Sequence, residues 1–494
     1  MSFTRSSQKR TEKVSSDSAA LSFDLLSNLT YMAALSTGES PRDVIFQYAI
    51  TQPYKTAIYF RQVYLLAKRL GFEYGRSFQL VAKKAGAETI RSLLLRFAGS
   101  ISSGESEQQF LAQEARVERD QYINRYQRSL ESLQKWGDAY AALLVSVSLI
   151  VVVAMISTML YDMGNAFIIM LTGTMFVMSF FGAYIIYKSA PYEIKTYKKR
   201  KGPKERQKAT FLLLVFGPIG VLAAVYLGAS AGLGLAFLAL GLCLMPAGIY
   251  AYLDDIKVTK IDQELATFLR SVGNVSESLG TTLSVAMAKI DRRSLETLEP
   301  YIRRLQSRLR NQISPKVCWD RFIDETGSEM VNRSTRMFVD GINLGGSPDK
   351  VGEITSDFAM NIALLRAKRY VTATPFAYLT IPLHGAMSAL LIFILEIMTA
   401  FNGKLADATA DLMSKSGNMA SQIPHLPFFQ SKDMGQTSLL IMGAVIVLTI
   451  ANTMAPKFAT GGHSLKLAFY GSIMCTLSGL NLLLIPPMAA KVLA

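Results

Sequence analysis

Cysteine, histidine and tryptophan are scarce in this 494-residue sequence, at three, three and two residues. The cysteines, Cys243, Cys318 and Cys475, stand far apart and two fall inside apolar runs, which excludes a disulfide framework or a thiolate metal site. His384, His425 and His463 share no ligand spacing. A phosphate loop of the form G-x-x-x-x-G-K-[ST] is missing, and no nucleophile–base set can be recognised. Gly345-Gly346-Ser347-Pro348 could cradle an anion at a helix start, but a helix cap is the commoner reading. No enzyme chemistry, cofactor or metal is therefore expected. The first twenty residues also lack the apolar core and small-residue cleavage site of a secretory signal, so insertion is expected to begin with the first span, near Ala139.

Apolar residues and cations are what the chain does have. Half of it is hydrophobic, mean hydropathy is positive and the formal net charge is +15. The charge is unevenly placed. Residues 1–138 hold 19 Lys/Arg against 14 Asp/Glu and residues 254–370 hold 18 against 16, whereas the loop 188–208 holds nine against Glu193 and Glu205 alone. A nucleic-acid binder would concentrate charge on a folded domain. A short basic loop between membrane-length runs instead marks the cytoplasmic side. The runs are Ala139–Leu160, Ala166–Tyr187, the 43 uncharged residues Phe211–Leu253 (divided at Gly228–Gly232), Ala373–Phe401, Thr437–Ala455 and Leu467–Ala489. Each span needs about 20 apolar residues, so the count is seven, with the amino terminus inside and the carboxyl terminus outside. Breaking the fifth run at Pro375 or Pro382 would change it. Glu396 in that run reads as a carboxylate snorkelling to the outer interface or as a functional group, and Asn452 and Asn481 as interhelical hydrogen-bonding groups.

Between these runs the pattern is helical. Leu21, Leu25, Leu29 and Met32 recur at helical spacing, and Ser40-Pro41 reads as a capped helix start. Helices are also expected at 54–70, 73–85, 88–102, 260–279, 281–290, 294–312, 315–326 and 328–344. The expected fold class is all-α: a polytopic membrane protein of about seven spans with two repeated cytoplasmic helical bundles. Its parts are a disordered tail (1–18), helical domain 1 (19–138), a four-helix membrane block (139–253), helical domain 2 (254–370) and a three-helix membrane block (371–494) whose outer loop is 402–436.

The helical domains repeat at a period of 241–242 residues. Phe97-Ala-Gly-Ser-Ile101-Ser-Ser-Gly104-Glu-Ser106 pairs with Phe338-Val-Asp-Gly-Ile342-Asn-Leu-Gly345-Gly-Ser347. At the same offset Phe78 meets Trp319, Val81 meets Phe322 and Phe110 meets Val351; one residue of slippage brings Gly38 over Gly280 and Leu26 over Phe268. This duplicated pattern resembles the type II secretion F domain of platform proteins in type IV pili, type II secretion, Tad pili and archaella. The stretches that carry it are Leu26–Pro41, Gly71–Leu80 and Ile90–Phe110 in the first copy, and Leu265–Gly280 and Val331–Phe358 in the second. The four-span block between copies resembles the archaellum or archaeal-pilus branch. Copy two lacks a clear counterpart of Gly71 and Gly75.

The resemblance implies a non-enzymatic membrane platform that couples a separate hexameric ATPase to pilin- or archaellin-like filament subunits. The basic loop admits membrane lipids as partners through anionic headgroups, and the family role implies a small symmetric homo-oligomer, a dimer being favoured; no nucleic acid is expected. Two basic runs are the candidate ATPase contacts: Lys198, Lys199, Arg200 and Lys201 in the loop, and Arg303, Arg304, Arg308 and Arg310 in domain 2. For most such charges a solvated face is the commoner reading. A secondary transporter or channel is the alternative class, but its repeats normally lie within the membrane.

Overall fold

A computed structural model describes residues 3–160, 164–197, 202–416 and 434–493, with side chains described from Ala20. The described residues form helices α1 (Phe3–Ser36), α2 (Arg42–Ala49), α3 (Ala57–Leu70), α4 (Tyr74–Lys84), α5 (Glu88–Ser103), α6 (Glu107–Leu160), α7 (Gly164–Ser189) and α8 (Lys204–Ser230). They continue through α9 (Leu233–Leu279), α10 (Leu283–Lys289), α11 (Glu299–Arg310), α12 (Pro315–Thr326), α13 (Glu329–Asn343), α14 (Pro348–Ser416), α15 (Met434–Thr460) and α16 (Lys466–Leu493). No strand occurs among the described residues; one isolated bridge joins Thr196 to Ser328. Seven of these helices are long and apolar enough to cross a membrane. The chain is an all-α multi-pass membrane protein.

Two compact units emerge. A helical unit contains residues 1–129, 191–203 and 255–368, and a membrane unit contains 130–190, 204–254 and 369–494. Three of the divisions fall inside the continuous helices α6, α9 and α14. Pro375 and Pro382 do not break α14, which runs on to Ser416, into the stretch read as an outer loop. Residues 417–433 of that loop lie outside the described residues. Helix α1 begins at Phe3, within the stretch read as a disordered tail.

In the helical unit the order α1–α6 is matched by α9–α14: a helix, four short helices, then a long one. Left-handed backbone recurs at the turns. Glu39 (φ 51°) and Gly280 (φ 56°), Gly71 (φ 70°) and Gln312 (φ 56°), and Gly104 (φ 69°) and Gly345 (φ 88°) are three pairs, each 241 residues apart. The counterpart of Gly71 in the second copy is therefore Gln312, held in a conformation that ordinarily favours glycine. Ser40 does not cap α2, whose N-cap is Pro41; its hydroxyl donates instead to the Leu344 carbonyl at 3.1 Å.

Aromatic rings fill each half's core. Phe78 stacks on Phe97 with centroids 4.8 Å apart, and Phe97 meets Phe110 edge-on at 4.7 Å. In the other half Phe322 packs against Phe268 at 6.1 Å and Trp319 at 5.8 Å. Burying one such side chain stabilises by about 1.5–3 kcal/mol, so these rings set how the short helices pack. In the membrane unit α9 approaches α16 along Gly234, Gly241 and Gly248, one residue in seven. A Cβ at Gly248 would lie 2.6 Å from the Cα of Phe469. Small residues permit this closeness where lipid removes any hydrophobic drive between helices.

Candidate partner-binding surface and buried polar sites

Helix α11 carries the arginine stripe. It buries Tyr301, Ile302 and Leu305 and turns Arg303, Arg304 and Arg310 to the exterior, with Arg308 half-buried. The stripe is not a field of unopposed cations. Arg303 pairs with Glu299 at 2.6 Å, Arg304 with Glu325 of α12 at 2.8 Å, and Arg308 with the same Glu325. The Arg304 guanidinium also lies over the Tyr301 ring, 4.8 Å from its centroid. Glu325 thus spaces two of the like charges, and a partner would meet chiefly Arg303 and Arg310. The other candidate run, Lys198, Lys199, Arg200 and Lys201, lies outside the described residues.

The base of that loop is held within the helical unit. Backbone bonds run from Glu329 N–H to the Lys195 carbonyl at 3.1 Å and from Tyr197 N–H to the Gly327 carbonyl at 3.0 Å. Lys195 pairs with Asp255 at 2.7 Å and also donates to the Thr259 hydroxyl at 2.7 Å. Nearby, Arg366 of α14 forms ion pairs with both Glu193 and Asp262, and Asp262 accepts from the Ser328 hydroxyl. Arg366 and Asp262 side chains are at most 5 % exposed. Charges this deep survive only when paired and hydrogen-bonded.

A second buried cation joins the two halves. Arg333 of α13, 3 % exposed, pairs with Asp24 of α1 at 2.8 Å and with Glu329 at 3.0 Å, and donates to the Ser27 hydroxyl at 2.7 Å. Its guanidinium lies 4.3 Å from the Phe23 ring centroid and 4.8 Å from that of Tyr54. Burial alone would lower its pKa, but Tyr54, Asp24 and Glu329 hold it above the ordinary value. About two helical turns along both helices, Tyr31 donates to Asp340 at 2.8 Å and accepts from the Gln52 amide at 3.0 Å. Burial raises the Asp340 pKa, against the Tyr31 bond and the Arg336 charge.

In the membrane unit four helices share a polar chain. Tyr140 donates to Asn452 Oδ1 at 2.8 Å, and Asn452 Nδ2 lies 3.2 Å from His384 Nδ1. With Nδ1 accepting, His384 Nε2 carries the proton and donates to Ser478 at 2.9 Å, which meets Thr449 at 2.8 Å. Asn481 donates to the Gly385 carbonyl and to Ser388, each at 2.8 Å. Both asparagines thus bond between helices. Glu396 is half-buried on α14.

Arg333, Arg366, Asp24 and Asp262 were not singled out by charge density, unlike Glu193 and Lys195 of the basic loop. A weaker signal existed. Arg333 stands within the apolar rhythm of Met330, Met337 and Gly341, and Arg366 continues the Phe358–Ile362 stripe. A cation in the position of a core residue announces a buried acid.

Among the described residues no group of three His, Cys, Asp or Glu side chains is placed to hold a metal ion. The fold and these sites define a class: a helical, multi-pass membrane protein whose non-membrane unit is closed by buried ion pairs. The chain is 25% identical over 420 residues to flagella accessory protein J of Methanococcus voltae, covering 82% of this chain and 73% of that one. It is 22% identical over 424 residues to flagella accessory protein J of Methanocaldococcus jannaschii, covering 81% and 72%. No protein-family profile matches the sequence. No solved structure matches it either.

Proposed function

We propose that this chain is the membrane platform of an archaellum-type filament, or of a related type IV pilus, and couples a separate cytoplasmic hexameric ATPase to filament subunits. The observation that carries the reading is similarity to two flagella accessory proteins along about four-fifths of the chain. The helix order repeated across α1–α6 and α9–α14 supports the F-domain resemblance. The reading places the helical unit, Lys199 and Arg308 on the cytoplasmic side and the carboxyl terminus outside, following the Lys/Arg distribution. Uninterrupted α6, α9 and α14 suit the transfer of movement, which flexible linkers would dissipate. The ATPase contacts the loop run Lys198, Lys199, Arg200 and Lys201 and, on the α11 stripe, chiefly Arg303 and Arg310, and the platform acts as a dimer.

The test is genetic and visual. Cells deprived of the chain should retain the ATPase and subunits yet assemble no filaments, with wild-type protein restoring them. Normal filaments in the deletion strain would remove the assignment.

A further inference from the structure

In the helical unit the long helices α6 and α14 flank the second half of α1 and leave a groove of about 300 Å³ between them. Its floor is apolar, formed by Leu26 of α1 and by Phe358 and Ile362 of α14. Its two edges differ. On α14, Glu353, Asp357, Met360 and Leu364 recur every third or fourth residue and so share one edge, where Met360 and Leu364 are 43% and 53% exposed. On α6, Arg116 and Ile123 stand about two turns apart on the facing edge, the arginine exposed.

The two edges match each other level by level. Arg116 and Asp357 are 241 residues apart, and so are Ile123 and Leu364, which is the period of the repeated turns. Equivalent positions therefore hold a cation on α6 and a carboxylate on α14 and then, about two turns further on, an apolar side chain on each. A two-fold axis along the groove would lay α6 of one copy against α14 of another with these levels kept. Opposite charges then meet at one level and apolar side chains at the next, the self-complementarity that an isologous interface demands. The same axis keeps the helices of both copies running in one direction, as two copies inserted in one bilayer require. Asp357 is engaged by Arg270 at 2.8 Å, so the exposed Glu353, one turn earlier on the same edge, is the acid better placed for Arg116 of the partner subunit.

We infer that this groove is the contact between two copies of the chain: α6 of each closes the groove against α14 of the other, with Arg116 on Glu353 of the partner subunit and Ile123 against the partner's Leu364. The inference rests on the dimeric part of the proposed platform and needs neither the ATPase nor the filament. An unrelated helix could fill the groove only by carrying the same charged and apolar levels, which a second copy brings by symmetry.

Full-length protein in neutral detergent, followed by native mass spectrometry over a dilution series, should be dimeric. Arg116→Glu and Glu353→Arg should each weaken the dimer about tenfold, since each reversal acts at two symmetric exposed contacts, and the double variant Arg116→Glu/Glu353→Arg should restore it. The pairing is read separately from two differently tagged copies expressed together without Cys243, Cys318 and Cys475, one carrying Arg116→Cys and the other Glu353→Cys. A short bis-maleimide should join the two tags, and should not when Arg303→Cys replaces Arg116→Cys. Size-exclusion profiles and helicity identify misfolded variants; should loss of the buried Cys318 unfold the protein, the charge-reversal series, which keeps every cysteine, decides. A monomeric wild type would overturn the inference together with the dimeric reading. A dimer unmoved by both single reversals, or a folded tagged pair that is not joined, would overturn the groove alone and leave a dimer built elsewhere.

Discussion

At the scale of single residues, burial decides which charges matter. Arg333 and Arg303 are both arginines on helices with a glutamate four residues earlier, yet one is 3 % and the other 72 % exposed at the side chain. Removing Arg333 would leave Asp24 and Glu329 buried without their cation, at about 3–5 kcal/mol. Removing Arg303 should cost about 0–1 kcal/mol. Arg333→Met is therefore expected to lower the thermal unfolding midpoint of the detergent-purified protein by several degrees, and Arg303→Met to leave it almost unmoved. Comparable shifts for the two would show that the Arg333 site is not closed. Asp340 supplies a pH test. Its folded pKa is raised above the unfolded value, so between those two values the folded state holds more proton than the unfolded one. Its contribution to stability must then fall as pH rises through that window. Asp340→Asn removes the titration, and its stability relative to wild type should improve as pH rises from the ordinary carboxylate range towards neutrality. A pH-independent difference between the two proteins would mean that Asp340 does not titrate in this way.

At the scale of elements, turns and helix lengths were largely legible in sequence, whereas pairings were not. Helix α12 falls at 315–326, as its Pro315 start and Gly327 stop announce. Pro375 and Pro382 gave an ambiguous signal, because a membrane helix can carry proline when neighbours re-satisfy the freed carbonyls. Gln312 gave no signal at all: only backbone geometry shows a left-handed residue where the other half has Gly71. This difference is testable. Gln312→Gly should relieve the left-handed strain and stabilise by about 1 kcal/mol, within the 1–2 kcal/mol typical of that conformation. Gly104→Ala, at another of the repeated turns, should destabilise by a similar amount. Chemical denaturation in detergent reads both, and a destabilising Gln312→Gly would show that the glutamine side chain contributes more than its backbone costs.

At the scale of the whole molecule, apolar run lengths revealed the seven membrane-length helices, since about 20 residues are needed to cross and few other folds use such runs. The two sequence halves, by contrast, read as separate bundles, yet residues 1–129 and 255–368 belong to one compact unit. What unites them is long-range: Arg333 to Asp24, Tyr31 to Asp340, Ser40 to Leu344. Contacts some 300 residues apart leave no local periodicity. The arginine stripe was legible as a dense run, but the acid shared by Arg304 and Arg308 was not, because Glu325 lies on the next helix. Those partners also change how docking should be probed. Replacing Arg304 or Arg308 disturbs the α11–α12 pairing, so Arg303 and Arg310 are the cleaner positions.

The proposed function requires that an ATPase dock on this chain. The direct measurement is the affinity of the full-length protein in nanodiscs for the hexameric ATPase encoded in the same cells, at low and at near-physiological salt. Saturable binding should weaken with salt, as screening shortens to about 8 Å. The double variant Arg303→Glu/Arg310→Glu should bind several-fold more weakly than wild type, each exposed charge being worth about 0–1 kcal/mol. Absence of saturable binding at either salt, together with ion-dependent solute uptake by liposomes containing this protein alone, would contradict the account and make the chain a transporter.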